Sequence, residues 1–168
     1  MSLMSAGALA SVLSFIMFAI MAVLYVAPWL ATRQRPEALT VLLWIHAFRH
    51  VALQIYSAQQ FGLAVSDAAR DQIAIGDVIA AILAVISIVA LDYRVRMASV
   101  LIWVFVAEAT LDLVNSTIAG VREQLFATAS GLTWLILTFY VALLWVSLGL
   151  IVWQLYSRRH EPLAFAHA

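Results

Sequence analysis

The sequence predicts an all-α fold: a polytopic membrane protein whose single domain, residues 1–168, is a bundle of five transmembrane helices. Hydrophobic residues make up 65% of the chain and charged residues only 11%. Several apolar runs reach the roughly 20 residues that a helix needs to cross the hydrocarbon core of a bilayer. No repeat, low-complexity tract or linker divides the chain, which is why one domain is predicted.

The first three predicted spans cover residues 3–30, 38–63 and 73–91. The first has no basic segment before it, so we interpret it as a true span and not as a cleaved signal peptide. Pro36 suits the first turn of the second helix. A turn or short interfacial segment with Asp67, Arg70 and Asp71 is predicted next. In the third span, Gly76 and the alanines after it offer a small-residue surface for close helix packing.

The last two predicted spans cover residues 97–119 and 127–156. Glu108, Asp112 and Asn115 follow i, i+4, i+7 spacing in the fourth span, so they lie on one narrow stripe of that helix. The fifth span is long enough to tilt, and Trp153 and Tyr156 near its end are typical of a membrane interface.

The basic residues predict how the bundle is oriented. Three pairs of arginines fall in segments that five spans place on the same side, while the other connections are neutral or acidic. By the positive-inside rule, the N-terminus is outside and the C-terminus inside. We expect a multi-pass protein of a bacterial cytoplasmic (inner) membrane. The pairs are Arg33 with Arg35, Arg94 with Arg96, and Arg158 with Arg159.

Composition excludes several classes of function. The chain has no Cys, which excludes thiol redox chemistry, Cys-ligated zinc and c-type haem attachment. It has no Lys, which excludes a retinal Schiff base and a pyridoxal phosphate linkage. The formal net charge is zero and no basic block occurs, so no nucleic-acid partner is predicted. No nucleotide-binding glycine motif is present.

A polar site is predicted inside the membrane, centred on the second span. A charge at the bilayer centre costs at least about 2.5 to 3.5 kcal/mol, so Arg49 needs a partner or a wet cavity. The expected partner is Glu108 or Asp112, whose depths match. The predicted binding residues are His46, Arg49, Gln54, Asp77 and Asn115, and the predicted catalytic or charge-switching residues are His50, Glu108 and Asp112.

Three classes of function fit such a site. The leading hypothesis is binding and translocation of a proton, cation or small solute, with carboxylates that change charge and histidines that relay protons. The second is a membrane-embedded enzyme that acts on a lipophilic substrate by acid–base or metal-dependent chemistry. The third is an accessory subunit of a membrane complex.

The sequence leaves the cofactor open. His46 and His50 are spaced like an H-x-x-x-H pair and could bind a divalent metal together with Glu108. A b-type haem is ranked lower, because Met17 or Met21 would have to serve as the second axial ligand. The lipid bilayer is the expected partner, and a homodimer or a larger membrane complex stays open.

Overall fold

Helices make up most of the chain in the computed structural model, which describes residues 2–163. No β-strand occurs in that range, and five of its helices are long and apolar enough to cross a membrane, which confirms the predicted all-α class. The helices are α1 (Leu3–Ala31), α2 (Arg35–Gln60), α3 (Asp67–Asp92), α4 (Ala98–Arg122), the short α5 (Leu125–Thr128) and α6 (Gly131–Ser157).

The core lies where α2, α3, α4 and α6 meet. α3 packs along α4 and α2, α6 covers α2 and α4, and α1 leans on α5 and α6. Leu39, Leu42, Ile102, Phe105 and Ile151 are almost fully buried in this core. Long apolar side chains cover the outside of the bundle instead, above all on α1. Such an apolar outer surface suits lipid as the surrounding medium.

α3 begins at Asp67, earlier than the predicted start at residue 73. Ser66 is the N-cap, and its side chain accepts a hydrogen bond from the Ala69 N–H at 3.3 Å. Arg70 and Asp71 therefore lie in the first turns of α3 and not in a separate turn or interfacial segment. A serine directly before an acidic first turn is a common helix start, and that signal was available in the sequence.

α1 widens into a π turn over Ala22–Val26. Proline has no N–H and its ring obstructs the carbonyl of the residue four positions earlier. Pro28 therefore prevents an ordinary α-helical bond to Leu24, and the wider turn takes up the mismatch.

Two further irregular turns lie in α2 and α6. α2 tightens into a 3₁₀ helix over Phe48–Leu53, and α6 widens into a π turn over Ile136–Tyr140. The Tyr140 hydroxyl donates a 2.7 Å hydrogen bond to the Ile45 carbonyl just before the 3₁₀ turn. Residues of both irregular turns line the same cavity, so the departures from α geometry occur beside the candidate site.

The connection between α4 and α6 contains two residues in the left-handed region of backbone space. Gln124 has a φ of 52° and Gly131 a φ of 54°. Between them α5 forms a single turn, and α6 begins at Gly131 instead of the predicted residue 127. Gly131 adopts this φ without steric cost because it has no Cβ.

Candidate functional site

Arg49 lies at the centre of the site, with only 1% of its surface exposed. Its Nε donates a 2.6 Å hydrogen bond to Oδ1 of Asp77 on α3, and its Nη2 donates to Oδ2 of Asp112 on α4. One guanidinium therefore joins α2 to two other helices. The prediction that Arg49 pairs with Glu108 or Asp112 is confirmed for Asp112, and Asp77 is a second acidic partner.

Gly76 allows the close approach of α3 and α4 on which this arrangement depends. A Cβ atom built on Gly76 would overlap the carboxylate of Asp112. Any larger residue must therefore displace the side chain that pairs with Arg49. The sequence placed Gly76 on a small-residue packing surface, but its contact with Asp112 depends on the register between two helices.

Glu108 lies one helical turn before Asp112 and is partly buried. It forms no ion pair with Arg49, so Asp112 is the partner of the two that were predicted. Within the described range, the buried Oε2 of Glu108 has no hydrogen-bond partner. Its carboxyl group still lies close enough to Asp112, Arg49 and Asp77 for their charges to act on it, and we refer to these four residues as the Arg49 cluster.

Ser116 contacts the cluster, whereas the sequence predicted that Asn115 would do so. The Ser116 hydroxyl is 3.4 Å from Oδ1 of Asp112, to which it donates. Asn115 is exposed and lies outside the cavity lining. Ser116 follows Asp112 at i+4, the spacing that puts two residues on the same side of a helix, so the sequence contained a signal for it.

His46 is fully buried between α2, α4 and α6. Its Nε2 lies 3.0 Å from the Ser147 hydroxyl, and its ring meets the Phe105 ring edge-on at 5.0 Å. The Ser147 hydroxyl donates to the Leu144 carbonyl at 3.1 Å, so it accepts from His46. His46 therefore packs in the core and does not line the cavity.

His50 is exposed, and its Nδ1 lies 3.1 Å from the carbonyl of Ala47. The prediction that His46 and His50 share one face assumed an uninterrupted α-helix. The 3₁₀ turn begins at Phe48, and at about three residues per turn it rotates His50 away from the side of His46. The 3₁₀ turn thus separates two residues that sequence spacing had placed together.

The ligand sets considered for a metal or haem are not assembled. Among residues 2–163, no three His, Asp or Glu side chains are grouped closely enough to hold a metal ion, and this includes the set His46, His50 and Glu108. Met17 and Met21 are exposed on α1, whereas His46 is buried in the core, so the structure does not pair them as axial ligands.

A cavity of about 340 Å³ adjoins the cluster. Arg49 and Asp77 form part of its wall, together with Gln54, whose Oε1 accepts a 3.1 Å hydrogen bond from the Thr133 hydroxyl. The rest of the lining is mostly apolar and is contributed by all six helices. The cavity lies towards the end of the bundle that carries the connections 61–66 and 123–130.

Fold and site together define a small helical protein with five membrane-length helices and a buried arginine–carboxylate cluster beside a largely apolar cavity. Residues 7–156 match the model of a family described as "Domain of unknown function (DUF8737)", and the chain belongs to this family. No curated protein and no solved structure gives a significant match. The matched region contains every residue of the cluster.

Proposed function

We propose that this protein binds and translocates a proton, cation or small solute across a membrane, and that the Arg49 cluster is its charge-switching site. The supporting observation is an imbalance of charge. One guanidinium pairs with the carboxyl groups of Asp77 and Asp112, and the carboxyl group of Glu108 lies one helical turn before Asp112, all on helices long enough to span a bilayer. A charge without a counter-ion raises the free energy of the protein inside the hydrocarbon core of a membrane. Full ionisation would leave two negative charges unbalanced, and a bound proton or cation reduces that excess.

Because Asp77 and Asp112 share the guanidinium of Arg49, binding of a proton to either carboxylate changes how the helices are held together. While Asp77 and Asp112 are both ionised, Arg49 holds α2 to α3 and to α4 by charge-assisted hydrogen bonds. A proton on Asp112 neutralises one of these links and leaves Asp77 as the remaining counter-ion. The hold of α2 on α4 then weakens relative to its hold on α3, so protonation biases how the three helices pack.

The position of the cavity supports a route to this switch from one end of the bundle. In the orientation we propose, the N-terminus and the connections 61–66 and 123–130 lie outside, so the cavity faces the outer half of the membrane. The arginines of the three predicted pairs lie at the other end, as the positive-inside rule requires for a bacterial cytoplasmic membrane. A solute or proton entering from outside would meet Gln54 and Thr133 before Arg49 and Asp77.

Flux in proteoliposomes tests the proposal. Purified protein is reconstituted, a pH or cation gradient is imposed, and entry of H⁺, Na⁺ or K⁺ is followed over a range of pH. We expect flux from the wild type and strongly reduced flux from Asp112→Asn and Glu108→Gln. Glu37→Gln is the matched control, because Glu37 is an exposed carboxylate paired with Arg33 outside the cluster. Unchanged flux in both cluster variants at every pH would refute this mechanism.

An acid–base enzyme for a lipophilic substrate is the second candidate. The cavity favours an enzyme of this kind, because a mostly apolar lining with Asp77 and Tyr140 suits a hydrophobic molecule that has one polar group. A lipid that stays bound through purification and is chemically altered on incubation would support this function. The Asp77→Asn variant should retain the lipid unaltered.

A further inference from the structure

A second depression, of about 460 Å³, lies at the end of the bundle opposite the Arg49 cavity. It is formed where the starts of α2 and α4 meet the end of α6. Arg35, Ser99 and Arg159 contribute polar groups, and Trp103 and Tyr156 contribute aromatic rings. None of these residues lines the first cavity, so the two sites are separate.

Arg35 is buried in this region, with 6% of its surface exposed. Its Nη1 donates to the Glu161 carbonyl at 2.9 Å and its Nη2 to the Leu155 carbonyl at 3.1 Å. Both acceptors are neutral backbone groups, and Arg35 forms no ion pair with any residue in 2–163. Its buried Nε has no partner there either. The positive charge of Arg35 is thus held in place without a direct counter-ion.

Glu161, the acidic side chain of this depression, is already engaged. It accepts hydrogen bonds of 2.5 to 2.9 Å from Arg158, which holds its pKa below the usual range for glutamate. Arg159 is exposed and its guanidinium lies over the Tyr156 ring at 5.5 Å. Arg35 and Arg159 line the depression together with one carboxylate, which Arg158 already binds, so the depression carries an excess of positive charge.

We propose that this depression binds the phosphate of an anionic phospholipid. Arg35 and Arg159 supply the positive charge, and the Ser99 hydroxyl supplies a donor. Trp103 and Tyr156 are 44% and 69% exposed beside it, and such rings lie at the level of lipid headgroups. Basic pockets between membrane helices recognise anionic headgroups in this way. The inference requires that the chain lie in a membrane, but not that it transport anything.

Lipid retention by the purified full-length chain tests this proposal. The protein is titrated in detergent with phosphatidylglycerol, phosphatidylcholine or inorganic phosphate, and bound species are counted by native mass spectrometry. We expect one tightly retained phosphatidylglycerol per chain and no comparable phosphatidylcholine. Arg159→Gln should weaken phosphatidylglycerol binding about fivefold, the effect of one arginine near an anionic surface. Arg96→Gln is the matched control, an exposed arginine at the same end that does not line the depression.

Arg159→Gln and Ser99→Ala are the decisive variants, because Arg35→Gln also removes two hydrogen bonds that hold the end of α6. Equal retention of the two lipids would overturn the proposal, and so would equal losses in Arg159→Gln and Arg96→Gln. Binding of inorganic phosphate that depends on Arg159, without selective retention of phosphatidylglycerol, would assign the site to free phosphate and reject the lipid. None of these outcomes depends on flux, so this proposal and the transport proposal fail separately.

Discussion

Gly76 on α3 lies directly against the carboxylate of Asp112 on α4, so close that a methyl group on Gly76 would overlap it. This contact places Asp112 where Arg49 can reach it. The geometry of the cluster therefore depends on a residue that carries no functional group.

Gly76→Ala is expected to damage the cluster even though alanine favours helix formation. The added methyl group must displace the Asp112 carboxylate or separate α3 from α4, and either change weakens the pair with Arg49. We expect a lower melting temperature and reduced flux. Gly149→Ala is the control, because nothing lies within 4 Å of a Cβ built there. An equal or higher melting temperature for Gly76→Ala would show that α3 and α4 adjust freely.

Arg49→Gln should be strongly destabilising. It leaves Asp77 and Asp112 buried without their counter-ion, and removing one member of a buried pair typically costs about 3 to 5 kcal/mol. Chemical denaturation in detergent measures the loss. Arg33→Gln should cost less than about 1 kcal/mol, because its pair with Glu37 is exposed. Adding Asp112→Asn to Arg49→Gln should restore part of the stability, and no recovery would mean that charge is not the cause.

The hydrogen bonds of Glu123, which directly follows α4, predict that the stability of the protein depends on pH. The Ser66 hydroxyl and N–H donate to its carboxylate at 2.6 and 3.0 Å, and these bonds hold the pKa of Glu123 below the usual value. A lowered folded-state pKa stabilises the protein above the unfolded pKa of about 4.3, and this stability is lost as the pH falls through the folded value.

Carboxyl NMR shifts of Glu123 measured against pH test this prediction. Ser66→Ala should return the Glu123 pKa towards the usual value, because it removes the hydroxyl donor. Glu123→Gln should flatten the fall in melting temperature below about pH 4.3. A Glu123 pKa unaffected by Ser66→Ala would contradict the assigned cause.

Sequence reasoning predicted the features that follow from a large free-energy cost within a single helix. A charge in an apolar span needs a partner, and this predicted that Arg49 pairs with Glu108 or Asp112 before any geometry was known. Hydropathy likewise predicted five long helices, since apolar run length alone sets whether a helix can cross a bilayer.

Sequence reasoning did not predict the features that depend on how one helix packs against another. His46 and His50 were assigned to one face because an α-helix was assumed, whereas the 3₁₀ turn at Phe48–Leu53 sends one into the core and the other to the surface. Neither the contact of Gly76 with Asp112 nor the choice of Asp112 over Glu108 is encoded in the spacing of one helix. Each depends on how far one helix slides along another.

The 3₁₀ turn in α2 also makes that helix longer than its residue count implies. A 3₁₀ helix rises about 2.0 Å per residue and an α-helix about 1.5 Å, so the six residues Phe48–Leu53 extend α2 by about 3 Å. They also advance about 120° per residue in place of 100°. If this stretch converted to α geometry, the segment that carries Gln54 would move back along the helix axis and rotate about it. Because Gln54 lines the cavity, this movement would change the shape of the cavity wall.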